Sequence, residues 1–156
     1  MHFIANQYHY RRRLPHYQKF DHVLFVTFCK SLRTPFPAEA RDIVLRHCIW
    51  ENEKRVALHA AVVMPDHVHL LLTPLRDGTG SPYPLSHVLK LIKGVSARRI
   101  NQLLGSSGPV WQEESFDHVL RSEESFEEKL EYLRQNPVRK GLAQKPEDYR
   151  WLWVNL

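Results

Sequence analysis

Hydrophobic positions along this chain form two kinds of pattern, which are short apolar runs typical of buried strands and apolar residues at the spacing of a helix. Four short apolar runs predict strands, at residues 22–30, 56–63, 67–74 and 116–120. Three stretches carry apolar residues at i, i+3 and i+4 and predict helices, at residues 38–53, 85–104 and 123–136. The predicted order is therefore strand, helix, strand, strand, helix, strand, helix.

The first six of these elements, in this order, predict a ferredoxin-like βαββαβ plait. This is an α+β fold with one antiparallel sheet, in which the third strand is expected to be central. The seventh element is an additional C-terminal helix, which Pro137 is expected to stop at Asn136. We expect a single domain over the whole chain, with an N-terminal arm at 1–19 and a C-terminal tail at 138–156 that packs back on the core.

The composition is that of a globular chain, with 43% hydrophobic and 25% charged residues. The two cysteines, Cys29 and Cys48, form neither a disulfide framework nor a metal-binding spacing, which favours a reducing cytoplasmic compartment. No apolar run approaches the ~20 residues needed to span a bilayer, and no secretory leader is evident. We therefore expect no membrane partner.

The chain is basic, with a formal net charge of +5. Such a charge favours a polyanionic partner, although a basic surface can also be only a solvated one. The N-terminal arm combines arginines with tyrosines, so it is either a solvated arm or one that contacts phosphates and stacks on bases. The residues we expect to contact DNA, in the arm and on the second helix, are Arg11, Arg12, Arg13, Lys90, Lys93 and Arg98.

Two histidines follow the tightest turn signal in the chain. Met64 ends one apolar run, Pro65-Asp66 is a turn pair, and His67 begins the next run. Because side chains alternate along a strand, His67 and His69 project from the same face, with Cα atoms roughly 7 Å apart. Two imidazoles placed in this way are half of a metal site. The alternative is a chance spacing in a chain that has ten histidines.

A third histidine lies on the preceding strand. A regular hairpin would pair Val63 with His67, Ala61 with His69, and His59 with Leu71, all on one side of the sheet. His59 would then be either a reserve ligand or a half-buried histidine with an ordinary hydrogen bond.

The last predicted helix carries a tyrosine and an asparagine one turn apart. Phe126, Leu130 and Leu133 form its buried stripe, and Tyr132 and Asn136 lie on the flank of that stripe. They could be simply a half-buried tyrosine and a helix-ending asparagine. Together with the two imidazoles, however, an amide oxygen could hold a divalent cation with positions open for phosphate oxygens, and the phenol could attack phosphorus.

Four parts of the sequence resemble one protein family. They are Arg11-Arg-Arg-Leu14-Pro15-His16, which resembles the start of the family; Met64-Pro-Asp-His67-Val-His69-Leu70; Trp111-Gln112 with Phe116-Asp117; and Tyr132-Leu-Arg-Gln-Asn136-Pro137-Val138-Arg-Lys-Gly141-Leu142. This pattern resembles the REP-associated tyrosine transposases, which are single-tyrosine, insertion-sequence-200-like transposases with an HUH (His-hydrophobic-His) motif. By position, the resemblance implies Tyr132 as the nucleophile and His67, His69 and Asn136 as ligands of Mg²⁺ or Mn²⁺.

The activity that this resemblance implies is that of a metal-dependent single-stranded DNA endonuclease and transposase. Such an enzyme cleaves and rejoins hairpin or repeat DNA through a 5′-phosphotyrosine link, as a monomer or homodimer and without a nucleotide cofactor. Two alternatives remain open at this stage. One is a non-catalytic nucleic-acid-binding plait, and the other is a metal phosphoesterase that uses water and tolerates Tyr132→Phe.

Overall fold

The computed structural model describes residues 23–32 and 34–155. These residues form a five-stranded antiparallel sheet with helices packed against it. The strands are β1 (Val23–Lys30), β2 (Val56–Val63), β3 (His67–Pro74), β4 (Trp111–Leu120) and β5 (Leu152–Val154). The helices are α1 (Ala38–Trp50), α2 (Leu85–Leu104) and α3 (Glu123–Arg139), and a short 3₁₀ turn spans Pro146–Asp148. The start of the first predicted strand at His22, and the predicted N-terminal arm, lie outside the described residues.

The strand order is β4-β1-β3-β2-β5, so β3 lies at the centre of the sheet. Every neighbouring pair is antiparallel. The first four strands with α1 and α2 therefore form the predicted ferredoxin-like plait, and α3 is the additional helix. Both the fold class and the central position of the histidine-bearing strand are confirmed.

Helices cover both faces of the sheet, which explains why the central strands are apolar on both sides. On one face α1 and α2 pack on side chains of β1, β2 and β3, in a cluster that includes Phe28, Val44, Val68, Leu70 and Ile92. On the other face α3 packs on the alternate side chains of the same strands, in a cluster that includes Phe25, Val62, Leu71, Phe126 and Leu133. No helix among the described residues is long and apolar enough to cross a membrane.

The C-terminal tail returns to the sheet, as predicted, and adds a strand that the sequence did not indicate. Strand β5 pairs with β2, with Val154 opposite Ala60 and Leu152 opposite Val62. Tyr149 is buried, and its hydroxyl donates a hydrogen bond to the carbonyl of Val63 (2.7 Å). The tail is therefore attached to the end of β2, immediately before the turn that leads to the two histidines.

The prediction that Pro137 stops the last helix is wrong, because α3 continues to Arg139. A proline inside a helix lacks a backbone donor and crowds the carbonyl four residues earlier. Pro137 is nevertheless buried within α3, and the carbonyls of Asn136 and Pro137 accept hydrogen bonds from the amides of Lys140 (3.1 Å) and Leu142 (2.8 Å). The chain leaves the helical path just after Arg139, at Gly141, whose φ of 74° lies in the left-handed region that favours glycine. This extra turn places Arg139 on the same helix as the predicted nucleophile.

Two smaller boundaries and the buried stripe of one helix also differ from the prediction. Helix α1 ends at Trp50 and not at residue 53, where Glu53 adopts a left-handed φ of 69°. Strand β4 begins at Trp111, well before the predicted run around Phe116. In α2 the buried stripe passes through Ser96 and Ile100, which leaves Leu103, a predicted stripe residue, 47% exposed.

Candidate active site

The turn between β2 and β3 decides which face of the sheet each histidine occupies. The amide of Met64 donates to the carbonyl of His67 (2.8 Å), so the loop consists of two residues, Pro65 and Asp66. His69 therefore pairs with Val62, and the predicted pairing of Val63 with His67 and Ala61 with His69 is wrong by one residue. His67 and His69 face α3, whereas Ala61 and Val63 face α1 and α2.

His59 also lies on the α3 face of the sheet, because of an irregularity in β2. The register of β2 shifts between Leu58 and Ala60, which leaves His59 as the extra residue of a β-bulge. Its Nε2 shares a 2.8 Å hydrogen bond with the Thr73 hydroxyl, and its ring lies edge-on to Phe126. The predicted pairing with Leu71 is wrong. The expected ordinary hydrogen bond of His59 is present, but the residue is fully buried and not half-buried as predicted. Burial lowers the pKa of His59 to about 3, so the imidazole is neutral near pH 7.

The two histidines of β3 are in ring contact and each is oriented through Nδ1. The centroids of His67 and His69 are 4.8 Å apart, with 74° between the ring planes. Nδ1 of His67 lies 2.8 Å from a carboxylate oxygen of Asp66, and Nδ1 of His69 lies 2.8 Å from the Thr27 hydroxyl. With both Nδ1 atoms engaged, Nε2 is the ring nitrogen that each histidine can offer to a ligand.

The electrostatic surroundings keep His69 neutral. Burial lowers its pKa to about 3, with further lowering from the nearby His67, Arg139 and Lys129. Neutral imidazole is the form that binds metal ions. His67 is more accessible, with 18% of its side chain exposed, and so lies closer to the surface of the pair.

Helix α3 brings the predicted nucleophile against this pair. Its buried stripe of Phe126, Leu130 and Leu133 packs on the sheet as predicted. The ring of Tyr132 lies 5.8 Å from the ring of His69, centroid to centroid, and remains 43% exposed. Asn136, one turn later on α3, is only 3% exposed. The structure thus places the Tyr132 ring beside the histidine pair, and buries Asn136 along the same helix.

Two cations flank Tyr132 that the sequence did not single out for a role. Lys129 Nζ lies 5.4 Å from the centroid of the Tyr132 ring, and Arg139 Cζ lies 4.4 Å from it. Asp66 and Thr27, the partners of the two histidines, were also missed as site residues. Helical spacing could have shown that Lys129 lies close to Tyr132. Arg139 could not be found in this way, because the predicted helix ended at Asn136, before that residue. Thr27 could be found only from the pairing of β1 with β3.

An open cavity of about 360 Å³ lies beside His67. The hairpin turn forms one wall, and the chain just after α3 forms another. Its lining residues are Pro35, Met64, Pro65, Asp66, His67, Lys140 and Leu142. The more exposed histidine therefore borders a space that is open to a ligand from solvent.

Histidine, cysteine, aspartate and glutamate side chains form no group of three or more that could hold a metal ion within residues 23–32 and 34–155. The predicted ligand set has a different composition, with two imidazoles and one amide. A site with few protein ligands suits a cation that keeps positions open for substrate oxygens. The donor set therefore fits a catalytic divalent cation better than a structural one, and its role stays a prediction.

The basic residues predicted on α2 lie on the sheet face opposite Tyr132. Lys93 is held within the protein, because its Nζ donates to the Glu113 carbonyl and the Ser115 hydroxyl (both 3.1 Å). Lys90 lines a groove of about 650 Å³ between α2 and β4, and Arg98 is exposed on α2. DNA contact by these residues stays a prediction, and Arg11, Arg12 and Arg13 lie outside the described residues.

Solved structures share this fold. A REP-associated tyrosine transposase bound to a REP hairpin superposes with a TM-score of 0.66 at 20% identity, covering 88% of this chain and 79% of that one. A putative transposase from Deinococcus radiodurans R1 gives a TM-score of 0.50 at 22% identity, covering 77% of this chain and 94% of that one. At these identities the likeness is one of fold.

Sequence comparisons place the chain in a family. A putative REP-associated tyrosine transposase from Haemophilus influenzae (strain ATCC 51907 / DSM 11121 / KW20 / Rd) is 22% identical over 125 residues, covering 77% of this chain and 69% of that protein. The family described as "Transposase IS200 like" matches residues 21–136, which include both histidines, Tyr132 and Asn136. The chain therefore belongs to the IS200-like transposase family and is, at that level, a DNA-binding, DNA-processing enzyme.

Proposed function

We propose that this protein is a metal-dependent single-stranded DNA endonuclease and transposase that cleaves and rejoins DNA through a 5′-phosphotyrosine intermediate. The observation that carries the proposal is the contact chain from Tyr132 to His69 (5.8 Å between ring centroids) and from His69 to His67 (4.8 Å). These contacts bring a phenol ring and two imidazole rings together, which are the groups that a tyrosine nucleophile and a bound cation would require. A purely nucleic-acid-binding plait would not require this arrangement.

Tyr132 is the proposed nucleophile. Its phenol oxygen forms a bond to phosphorus while the bond between phosphorus and the 3′ oxygen breaks. The phenol gives up its proton, and the departing oxygen gains one and becomes a free 3′-OH. Attack by a 3′-OH on the phosphotyrosine reverses these changes, so the energy of the ester bond is conserved and no nucleotide cofactor is needed.

His67, His69 and Asn136 are the proposed ligands of the cation. A bound Mg²⁺ or Mn²⁺ would supply positive charge to the phosphate oxygens. Asp66 and Thr27 hold the two imidazoles by Nδ1, which leaves Nε2 in the neutral ring of His69 available as a donor. Asn136 lies on α3, the helix that also carries Tyr132, so the proposed nucleophile and this one proposed ligand share a rigid support, while both histidines lie on β3.

The proposed substrate is single-stranded DNA that contains a hairpin or repeat. A relative of the same fold has been solved bound to a REP hairpin, and the basic charge of this chain suits a polyanion. Tyr132 is 43% exposed and His67 borders an open cavity, so a strand could approach the site without a large rearrangement. We propose a monomer or a homodimer as the active species.

The test is covalent capture. The purified protein is incubated with end-labelled, hairpin-bearing single-stranded DNA and Mn²⁺, and the mixture is run on a denaturing gel. We expect a band of protein linked to the 5′ phosphate of the fragment downstream of the break, lost in Tyr132→Phe and kept in Tyr83→Phe, which removes a phenol oxygen from the loop before α2. Cleavage in Tyr132→Phe without an adduct would support a water-using phosphoesterase. DNA binding without any Mn²⁺-dependent cleavage would support the non-catalytic alternative.

A further inference from the structure

The ring of Tyr132 is enclosed by side chains from three elements of the fold. Phe25 of β1 lies edge-on at 6.0 Å and His69 of β3 at 5.8 Å, both measured between ring centroids. Lys129 and Arg139, both on α3, bring their cationic groups to 5.4 Å and 4.4 Å from the same centroid. The ring is therefore held on several sides, although much of its surface is still open to a substrate.

Arg139 contacts both the backbone and the ring of Tyr132. Its Nη2 donates to the carbonyl of Tyr132 (3.0 Å), and its guanidinium carbon lies over the Tyr132 ring. A guanidinium carries five N–H donors in its own plane, so stacking on a ring leaves the remaining donors at the edge of the plane. Those donors match the geometry of phosphate oxygens. Arg139 can therefore hold the phenol and bind a phosphate beside it simultaneously.

Lys129 lies one turn before Tyr132 and contacts two rings. Its Nζ is 5.0 Å from the centroid of Phe25 and 5.4 Å from that of Tyr132. Neither Lys129 nor Arg139 forms a salt bridge among residues 23–32 and 34–155. The nearby carboxylate of Glu131 instead accepts hydrogen bonds from Arg134 and Gln135. Two cations that have no acidic partner in the described part of the chain, next to a proposed nucleophile, are suited to an anion supplied by the substrate.

We propose that Lys129 and Arg139 form a phosphate-binding bracket that positions the phenol of Tyr132 and the scissile phosphodiester against each other. This inference rests on the proposed role of Tyr132 as nucleophile. Within it, the two cations are positioning residues, because neither forms nor breaks a bond. Their contribution is to hold two reactants in an attack geometry, which lowers the barrier through orientation.

The experiment measures the rate of adduct formation under single-turnover conditions, at saturating hairpin DNA and saturating Mn²⁺. The variants are Arg139→Gln, Arg139→Lys and Lys129→Gln. Arg46→Gln is the matched control, because Arg46 is an exposed arginine of α1 on the opposite face of the sheet. DNA affinity is measured separately for each variant, so that binding and positioning are distinguished.

We expect Arg139→Gln and Lys129→Gln to slow adduct formation at saturation by about tenfold or more, with a smaller change in DNA affinity. Arg139→Lys should recover only part of the rate, because an ammonium keeps the charge but neither stacks nor forks. Arg46→Gln should react at the wild-type rate. An Arg139→Gln protein that reacts as fast as wild type at saturation would overturn the bracket, and so would full recovery by Arg139→Lys.

A second measurement needs neither metal nor turnover. In protein labelled with fluorotyrosine, the ¹⁹F resonance missing from Tyr132→Phe identifies Tyr132. Its chemical shift should change in Arg139→Gln and in Lys129→Gln but not in Arg46→Gln, and an unchanged shift in both would contradict the contacts. The two proposals fail separately. An adduct formed by Tyr132→Phe overturns the proposed function, whereas a Tyr132-dependent adduct at full rate in both cation variants overturns only the bracket.

Discussion

A carboxylate oxygen of Asp66 lies 2.8 Å from Nδ1 of His67, so the residue that turns the hairpin also orients the histidine that follows it. Contacts of this kind fix the tautomer and direction of a metal-binding imidazole. We expect Asp66→Asn to weaken Mn²⁺ binding by about tenfold or more. Titration calorimetry measures the change, with Asp117→Asn, an exposed carboxylate on β4, as the control. Equal affinity in Asp66→Asn and wild type would argue against His67 as a ligand.

Replacement of Asn136 and replacement of Tyr132 are expected to affect cleavage differently as the Mn²⁺ concentration is raised. Asn136→Ala removes a proposed ligand and leaves the nucleophile, so cleavage should fall at low Mn²⁺ and recover in part at high Mn²⁺. Tyr132→Phe removes only the attacking oxygen, so it should keep metal and DNA affinity and lose the adduct at every Mn²⁺ concentration. The measurement is adduct yield against Mn²⁺ for both variants. A defect in Asn136→Ala that no Mn²⁺ concentration relieves would contradict the ligand assignment.

Buried His59 makes the stability of the fold sensitive to acid. Its folded pKa of about 3 lies below the ordinary value of 6.5, so below pH 6.5 the unfolded chain binds a proton that the folded chain does not. The contribution of neutral His59 to the free energy of unfolding is therefore complete above pH 6.5. It is lost as the pH falls toward 3, by about 1.4 kcal/mol per pH unit.

Urea unfolding between pH 7 and pH 5 measures this effect. His59→Gln cannot take up the proton and can still hydrogen-bond to Thr73, so its free energy of unfolding should fall less steeply with pH than that of wild type. His87→Gln, which changes an exposed histidine of α2, is the control and should keep the wild-type slope. Identical slopes in His59→Gln and wild type would contradict a neutral, buried His59.

The arginines of the N-terminal arm are expected to contribute to DNA binding through phosphates. If Arg11, Arg12 and Arg13 each neutralise one phosphate of a single strand, replacing all three with glutamine should reduce the slope of log affinity against log salt by about 2. Fluorescence anisotropy with a labelled strand, over a salt series, gives this slope. A slope that does not change would mean that the arm is only solvated.

The sequence indicated the elements and the two halves of the site, because these depend on local pattern. A short apolar run located β3, and helical spacing placed Tyr132 and Asn136 on one side of α3. The register of the hairpin between β2 and β3 could not be predicted from the sequence. A two-residue and a three-residue loop around Pro65-Asp66 differ little in sequence, but the choice between them shifts every residue pair by one position and so exchanges the faces of the sheet. The bulge at His59 and the partner of His69, Thr27, depend on contacts between strands distant in sequence.

The ends of the helices were the least predictable part of the site. A proline usually marks a helix boundary, but Pro137 is buried inside α3, and the last residues of the helix follow it. This single difference concealed Arg139, whose contact with Tyr132 needs the additional turn.

The segment matched by the family ends at residue 136, yet the fold continues beyond it. Strand β5 covers part of the outer edge of β2, and the Tyr149 hydroxyl donates a hydrogen bond to Val63, the last residue of β2. A protein cut after residue 136 would expose the β2 edge and the apolar surface under the tail, which is a known route to aggregation. We therefore expect the smallest independently folding unit to be longer than the segment that the family matches, and expression of a version that ends at residue 136 should yield insoluble protein.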